Sequence, residues 1–152
     1  MKGINRITKY LSKKKLNRIK HGKNVFVGYN TKIMHGNNIY VGDNSYINGG
    51  YIIAGENSKI QIGSNCLISY NVHIRTITHN YEKKEKLICE QGNREESIII
   101  EDDCWIGFGA QIMPGIVIKK GSVIGAGAVV TKDTEAYGVY GGVPAKKIKS
   151  RI

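Results

Sequence analysis

Two histidines six residues apart, His73 and His79, stand at the entrance to the most polar stretch of this chain. An imidazole titrates near neutrality, so each could take a proton from a hydroxyl nucleophile or give a lone pair to a metal ion. The other two histidines, His21 and His35, fall in a basic segment and a glycine-asparagine turn, where surface placement is the default. The cysteines, Cys66, Cys89 and Cys104, are odd in number and lack framework spacing, which points to free thiols in a reducing, cytoplasmic setting. No cysteine here is expected to act as a nucleophile.

The elements that must position these groups follow a period of six. Ile100, Ile106, Ile112, Ile118, Ile124 and Val130 recur at every sixth position, and the residues four after the first five are Cys104, Ala110, Ile116, Ser122 and Ala128. Six fits neither a helix of about 3.6 residues per turn nor a plain strand alternation. It marks a hexapeptide-repeat β-solenoid, in which three hexapeptides make one triangular coil, the aliphatic residue points inward and the small residue lets the chain bend. Cys66 and Cys104 take that small position and read as buried packing thiols. Upstream the beat continues as Val27 and Ile33, then Val41, Ile47 and Ile53, then Ile62, Ile68 and Ile74, with small insertions after Ile33 and Ile53. Gly28, Gly42, Gly63, Gly107 and Gly125 each follow an inward aliphatic residue, where room is short or φ is unusual.

The beat stops between Arg75 and Ile99. This stretch, with Lys83-Lys84-Glu85-Lys86 and Asn93-Arg94-Glu95-Glu96, reads as an excursion loop over 75–99. Long loops on rigid scaffolds tend to carry function. Nineteen glycines against two prolines suit a fold of tight turns, and 152 residues suit one thin-cored domain. The expected division is a basic N-terminal segment, 1–22, and a repeat domain, 23–152. No apolar run approaches the roughly 20 residues of a bilayer span, and no signal-peptide core stands out.

Residues 1–22 hold eight Lys or Arg and no acid, so they supply +8 of the formal +11. Ile4, Ile7 and Leu11, then Leu16 and Ile19, recur at helical spacing, which predicts one basic amphipathic helix or two short ones. One reading is a cap on the open end of the solenoid with a solvated basic face. The other is peripheral attraction of residues 1–20 to an anionic membrane surface or a lipid-linked substrate, at the inner face of the membrane. Nucleic acid is not expected as a partner, since no aromatic or glycine-rich RNA motif accompanies the charge.

From Ser97 onward the chain runs through Ile100-Glu101-Asp102-Asp103-Cys104-Trp105-Ile106-Gly107, Ile112-Met113-Pro114-Gly115, Val123-Ile124-Gly125-Ala126-Gly127-Ala128-Val129-Val130-Thr131-Lys132-Asp133 and Gly142-Val143-Pro144-Ala145-Lys146. This string resembles the hexapeptide-repeat acyltransferases, in the branch of maltose, galactoside and polysaccharide O-acetyltransferases. The resemblance implies a left-handed parallel β-helix, a homotrimer and acetyl-CoA as donor. Handedness rests on it alone, because parallel crossovers are otherwise right-handed in about 98% of cases.

The resemblance also implies roles for single residues. Thr76-Ile77-Thr78-His79-Asn80-Tyr81 is similar to the stretch that opens the family's catalytic loop, which makes His79 the general base. It would deprotonate a sugar hydroxyl as that oxygen attacks the thioester carbonyl and CoA leaves, with a backbone N–H of a neighbouring coil holding the oxyanion. Ala126 resembles the small site along the pantetheine arm, and Thr131 and Lys132 the pair at the end of the last regular coil. Lys146 and Lys149 stand where basic residues meet the nucleotide phosphates, although lysine lacks the bidentate geometry of arginine. A solvated lysine tail is the plain alternative. Phe108 takes a place often small or polar. On the acceptor side, Asn48 falls near the family's active-site asparagine, and Trp105 resembles the tryptophan beside the catalytic histidine, or else is a plain exterior aromatic.

Departures from the family pattern shape the expected acceptor. The short basic segment replaces a longer N-terminal helical region, and the second asparagine near Asn48 is missing. Both turn the expectation from a free disaccharide toward a sugar of capsule, lipopolysaccharide or other surface polysaccharide, or a nucleotide-linked sugar. A nucleotide-linked amino sugar, serine or an antibiotic are alternative acceptors. A γ-class carbonic-anhydrase-like site needs three histidines on zinc with the downstream pair five apart, whereas His73 and His79 are six apart with no histidine downstream, so no metal is expected. A non-catalytic scaffold on the same fold is the remaining reading and predicts no CoA affinity.

Overall fold

In the computed structural model, which describes residues 6–152, the period of six closes into a left-handed parallel β-helix of about five turns preceded by one short helix, Arg6–Leu16. The first face of the prism stacks Lys20–His21, Ile39–Val41, Ile60–Ile62, Ile98–Ile100 and Val117–Ile118. The second stacks Phe26–Val27, Tyr46–Ile47, Leu67–Ile68, Trp105–Ile106, Val123–Ile124 and Gly138–Gly141, with Lys146–Ser150 turning back antiparallel along its edge. The third stacks Thr31–Met34, Gly50–Ile53, Val72–Arg75, Gln111–Ile112 and Val129–Val130.

Most of these strands are two to four residues long, so almost all their hydrogen bonds go to the coil above or below. Register then aligns the inward residues into columns. Val27, Ile47, Ile68, Ile106 and Ile124 form one, each paired with the next and each at most 1% exposed. Ile33, Ile52, Ile74, Ile112 and Val130 form a second. Here the sequence reading needs one correction. Ile52, not Ile53, points inward, because the corner Asn48-Gly49-Gly50 is one residue shorter than the others. Gly50 makes this possible with φ +121, and a Cβ there would lie 2.2 Å from the Val72 carbonyl oxygen.

The small positions behave as expected: Cys66, Cys104, Ala110, Ser122 and Ala128 are buried. The residue before each is left-handed, namely Asn65, Asp103, Gly109, Gly121 and Gly127. Asn, Asp and Gly tolerate that region best, so they turn the corners. The glycines two residues before Asn65, Gly109 and Gly127 are there for another reason. Gly107 has no left-handed φ, but a Cβ on it would lie 2.7 Å from the Ile124 oxygen of the next coil.

The excursion spans 76–97 rather than 75–99, because Arg75 pairs with Ile53 and Ile98–Ile100 pairs with Ile60–Ile62 inside the coils. It is an antiparallel hairpin of Ile77–His79 with Asn93–Glu95, plus a short 3-10 turn at Ile88–Glu90. The solenoid itself starts at Lys20 rather than residue 23, since Lys20–His21 already pairs with Tyr40–Val41. Ile4 of the predicted amphipathic pattern lies outside the described residues. No described helix is long and apolar enough to cross a membrane.

At the far end the last coil is closed by its own tail. Val117 N–H donates to Asp133 Oδ1 at 2.8 Å and Lys119 N–H to Thr134 Oγ1 at 2.8 Å. Val129 N–H donates to the Gly142 oxygen at 3.1 Å, and Ala145 N–H to the Val129 oxygen at 2.8 Å. Neighbours on one strand should therefore differ sharply in their tolerance of truncation. Ile68→Ala removes a fully buried column member and should cost about 2–5 kcal/mol, whereas Leu67→Ala, beside it and facing out, should cost about 1 kcal/mol or less. Urea denaturation followed by circular dichroism measures both, and equal losses would contradict the assigned facing.

Candidate active site

The hairpin that carries His79 is held by a carboxylate. Glu95 accepts the Asn57 N–H at 2.7 Å, the Ser58 hydroxyl at 3.0 Å and the Glu56 N–H at 3.3 Å. The backbone hydrogen bond from Asn57 leads the causes that hold the Glu95 carboxyl below its ordinary range, with Ser58 and Glu56 adding to it against partial burial. Beneath it, the hydroxyls of Ser58 and Thr76 lie 2.6 Å apart, and Gly55 N–H donates to Thr76 Oγ1 at 2.8 Å. A Cβ on Gly55 would lie 2.3 Å from the Glu95 carboxylate, so a side chain there would displace the clamp. The hairpin tip is braced by Gln91, whose amide accepts Lys83 N–H at 3.0 Å and donates to the Lys83 and Lys86 oxygens.

His79 ends the first hairpin strand, opposite Asn93, and is exposed. It stands off the prism near the corner between the third and first faces. Between the hairpin and the third face lies a cavity of about 320 Å³, lined by His73, Arg75, Ile77, Thr78, Gln111 and Met113 among others. His73 is partly buried there, its ring centroid 4.4 Å from that of Tyr51, with Lys32 over the Tyr51 ring at 5.5 Å. His21 and His35 are exposed elsewhere. Among the described residues no group of three or more His, Cys, Asp or Glu is disposed to hold a metal ion.

The acceptor-side candidates lie elsewhere on the prism. Asn48 lines a second cavity of about 300 Å³ beneath the N-terminal helix, with Ser12, Tyr29, Asn30 and Tyr70. The Ser12 hydroxyl is buried there and has no hydrogen-bond partner among the described residues. Trp105 is half exposed on the second face, and its indole N–H donates to Ser69 Oγ at 3.4 Å. It belongs to an outward column that is apolar at every coil: Phe26, Tyr46, Leu67, Trp105, Val123 and Val139. Within one chain, His79 and Trp105 are thus on different sides of the prism.

The residues matched to the donor side gather at the far end. Ala126 is exposed at the corner of the second and third faces, one coil beyond Phe108, whose carbonyl oxygen accepts Gly127 N–H at 2.8 Å. Lys146 pairs with Gly141 and Lys149 with Val139 on the closing strand, both exposed. Thr131 and Lys132 follow Val129–Val130 at the opposite corner of the third face, also exposed. Cys66 and Cys104 are stacked packing thiols: Cys66 donates to the Glu101 oxygen at 3.1 Å and Cys104 to the Lys119 oxygen at 3.3 Å. The contact with Cys66, together with burial, pushes the Cys104 thiol far above its ordinary range, so it offers no thiolate.

The family model described as bacterial transferase hexapeptide (six repeats) matches residues 97–132. A maltose O-acetyltransferase from Clostridium difficile 630 aligns with a TM-score of 0.78 and 30% identity, covering 97% of this chain and 83% of that one. The chain belongs to the hexapeptide-repeat acetyltransferases. A galactoside acetyltransferase solved in complex with coenzyme A has a TM-score of 0.77 and 32% identity over 86% of this chain and 64% of its own. A chloramphenicol acetyltransferase from Klebsiella aerogenes is 57% identical over 54 residues, which are 36% of this chain and 26% of that protein. The chain therefore spans well under two thirds of the length of that curated relative.

The Glu95 clamp, unlike the coil pattern, left no mark on sequence spacing, because its partners lie 37 to 39 residues away. Its sign with pH is fixed. A carboxyl lowered in the folded protein adds stability above its unfolded pKa of about 4.3, and that contribution is lost as pH falls through the folded value. The protection of amides in residues 76–97 from exchange, relative to their intrinsic rates, should fall below about pH 4, ahead of the coils, and Glu95→Gln should show the lower protection already at neutral pH. Unchanged exchange in Glu95→Gln would show that the clamp does not hold the hairpin.

Proposed function

We propose that the chain transfers an acetyl group from acetyl-CoA to a sugar hydroxyl, with His79 as general base. The observation that carries this reading is the position of His79, exposed at the end of the first strand of a hairpin that leaves the prism between two coils and is clamped at its base through Glu95. The acceptor oxygen attacks the thioester carbonyl carbon while its proton passes to the His79 imidazole. The C–S bond then breaks, and the proton returns to the departing CoA sulphur. On this reading a backbone N–H of a neighbouring coil holds the oxyanion.

Donor binding falls to the exposed far end, with Ala126 along the pantetheine, Thr131 and Lys132 at the last corner, and Lys146 and Lys149 as cations for the phosphates. Lys147 is less suited, since it is already paired with Glu135 at 2.6 Å. Support comes from similar acetyltransferases, one of them solved with coenzyme A. The acceptor reading favours a sugar because the likeness to the maltose enzyme runs over 97% of the chain, while that to the chloramphenicol enzyme covers 54 residues. The cavity at Asn48, with two amides, two tyrosines and the unpartnered Ser12 hydroxyl, suits a polyhydroxylated ring. We take the sugar to be a unit of a surface polysaccharide in nucleotide- or lipid-linked form, whose negative charge the basic N-terminal segment would attract.

The reading also requires a homotrimer. His79 and Trp105 lie on different sides of one prism, and the apolar outward column of the second face needs a cover. A neighbouring chain answers both needs by presenting its hairpin to that face.

His79→Ala should fold and bind acetyl-CoA as before while losing about 10²- to 10⁴-fold in turnover. Acetyl-CoA consumption against a panel of sugars, nucleotide-sugars, serine and chloramphenicol, with equilibrium dialysis for the donor, reads both quantities. Near-wild-type turnover by the variant would remove His79 from this role, and absence of CoA binding by the parent would leave only a scaffold. If sites are shared, mixing His79→Ala subunits with Trp105→Ala subunits should restore part of the activity that each lacks alone. An active monomer by light scattering would overturn the shared site.

A further inference from the structure

The N-terminal helix Arg6–Leu16 packs with its polar side in. Ser12 is buried, Thr8 is partly buried, and both line the cavity beneath the helix, while Leu16 packs against the core. The opposite side carries Ile7, Tyr10 and Leu11, which are 66%, 65% and 37% exposed. Positions i, i+3 and i+4 form one stripe on a helix, so these three large groups lie side by side in solvent. A helix serving only to cap the prism would turn that stripe onto the coils and leave Thr8 and Ser12 to water.

Charge decides what covers the stripe. The helix contains Arg6, Lys9, Lys13, Lys14 and Lys15 and no acid. At about 100° per residue Lys14 falls within the stripe, Arg6 and Lys13 border it on one side and Lys15 on the other, and Lys9 lies farther round, beside Leu16. A second copy meeting this one about a twofold axis would set the same cationic helix against itself and repel. A nucleic acid would satisfy the cations and leave the apolar groups in water. A bilayer with anionic headgroups satisfies both, and tyrosine suits the depth where acyl chains meet headgroups.

We propose that the outward side of Arg6–Leu16 is a docking surface for an anionic lipid bilayer. The helix lies in the plane of the interface, with Ile7, Tyr10 and Leu11 inserted and the lysines among the headgroups. The solenoid then projects from the membrane through Leu16 and Lys20. This docking does not depend on the chemistry assigned to His79, and its test involves no turnover.

The full chain is floated with vesicles of phosphatidylcholine alone and of phosphatidylcholine mixed with phosphatidylglycerol, at low salt and at about 0.5 M salt. Binding is expected only to the mixed vesicles and should fade at the higher salt. The triple variant Ile7→Ser/Tyr10→Ser/Leu11→Ser keeps every charge and should bind about tenfold or more weakly, with unchanged circular dichroism. Lys13→Gln/Lys14→Gln keeps the stripe and should also weaken binding. No binding of the parent to mixed vesicles overturns the proposal, and so does equal binding by the triple variant. A fall in molecular mass of the triple variant by light scattering would assign the stripe to a second copy. Retention of single-stranded RNA that depends on the same three residues would assign it to nucleic acid.

Discussion

Close contact between successive coils is the constraint on which everything else here rests. A strand of two residues cannot satisfy its own backbone, so each coil depends on the N–H and C=O groups of its neighbours, as in Gly107 N–H to the Ile124 oxygen at 2.8 Å. That spacing forces inward residues into vertical columns and leaves no room for a Cβ at the tightest meetings of two coils, as at Gly107 and Gly28. It also fixes the outward columns. Tyr51 therefore lies against His73, and Leu67 against Trp105. A side chain on this scaffold gains its position from the coil beneath it rather than from its own neighbours in sequence.

The hairpin obeys a different rule. It is antiparallel where the stacked coils are parallel, it is held by side chains as much as by ladder bonds, and it rests on one carboxylate and one glycine. Gly55 leaves the space that Glu95 fills, and the Asn57 and Glu56 amides supply the donors. Chemistry that needs a group to stand clear of the flat faces is thereby confined to a segment whose anchoring is local and separable from the core.

The repeating part was legible because burial and geometry share one period. Ile100 through Val130 announce their columns directly, and the small residues Cys104, Ala110, Ser122 and Ala128 are buried where the pattern puts them. Reading failed where the period slipped. Asn48-Gly49-Gly50 shortens one corner, so Ile52 replaced Ile53 as the inward residue. The left-handed corners at Asn65, Asp103 and Gly109 were visible as residue types yet were overshadowed by the glycines at the coil contacts. The hairpin clamp and the orientation of the N-terminal helix were not legible at all. One depends on contacts 37 to 39 residues apart, and the other reverses the ordinary rule that the apolar side of a helix turns inward.

The tail closing the last coil has a bearing on what this molecule avoids becoming. A stack of short parallel strands ends in a row of unpaired amides and carbonyls, the template on which cross-β fibres lengthen. Asp133 and Thr134 occupy that row on the first face, Lys146–Ser150 on the second and Gly142 with Ala145 on the third. Three of the five residues in the closing strand are lysines, whose charge opposes a further strand along the exposed rim. The architecture that could most easily polymerise thus carries its own chain terminator, one for each face.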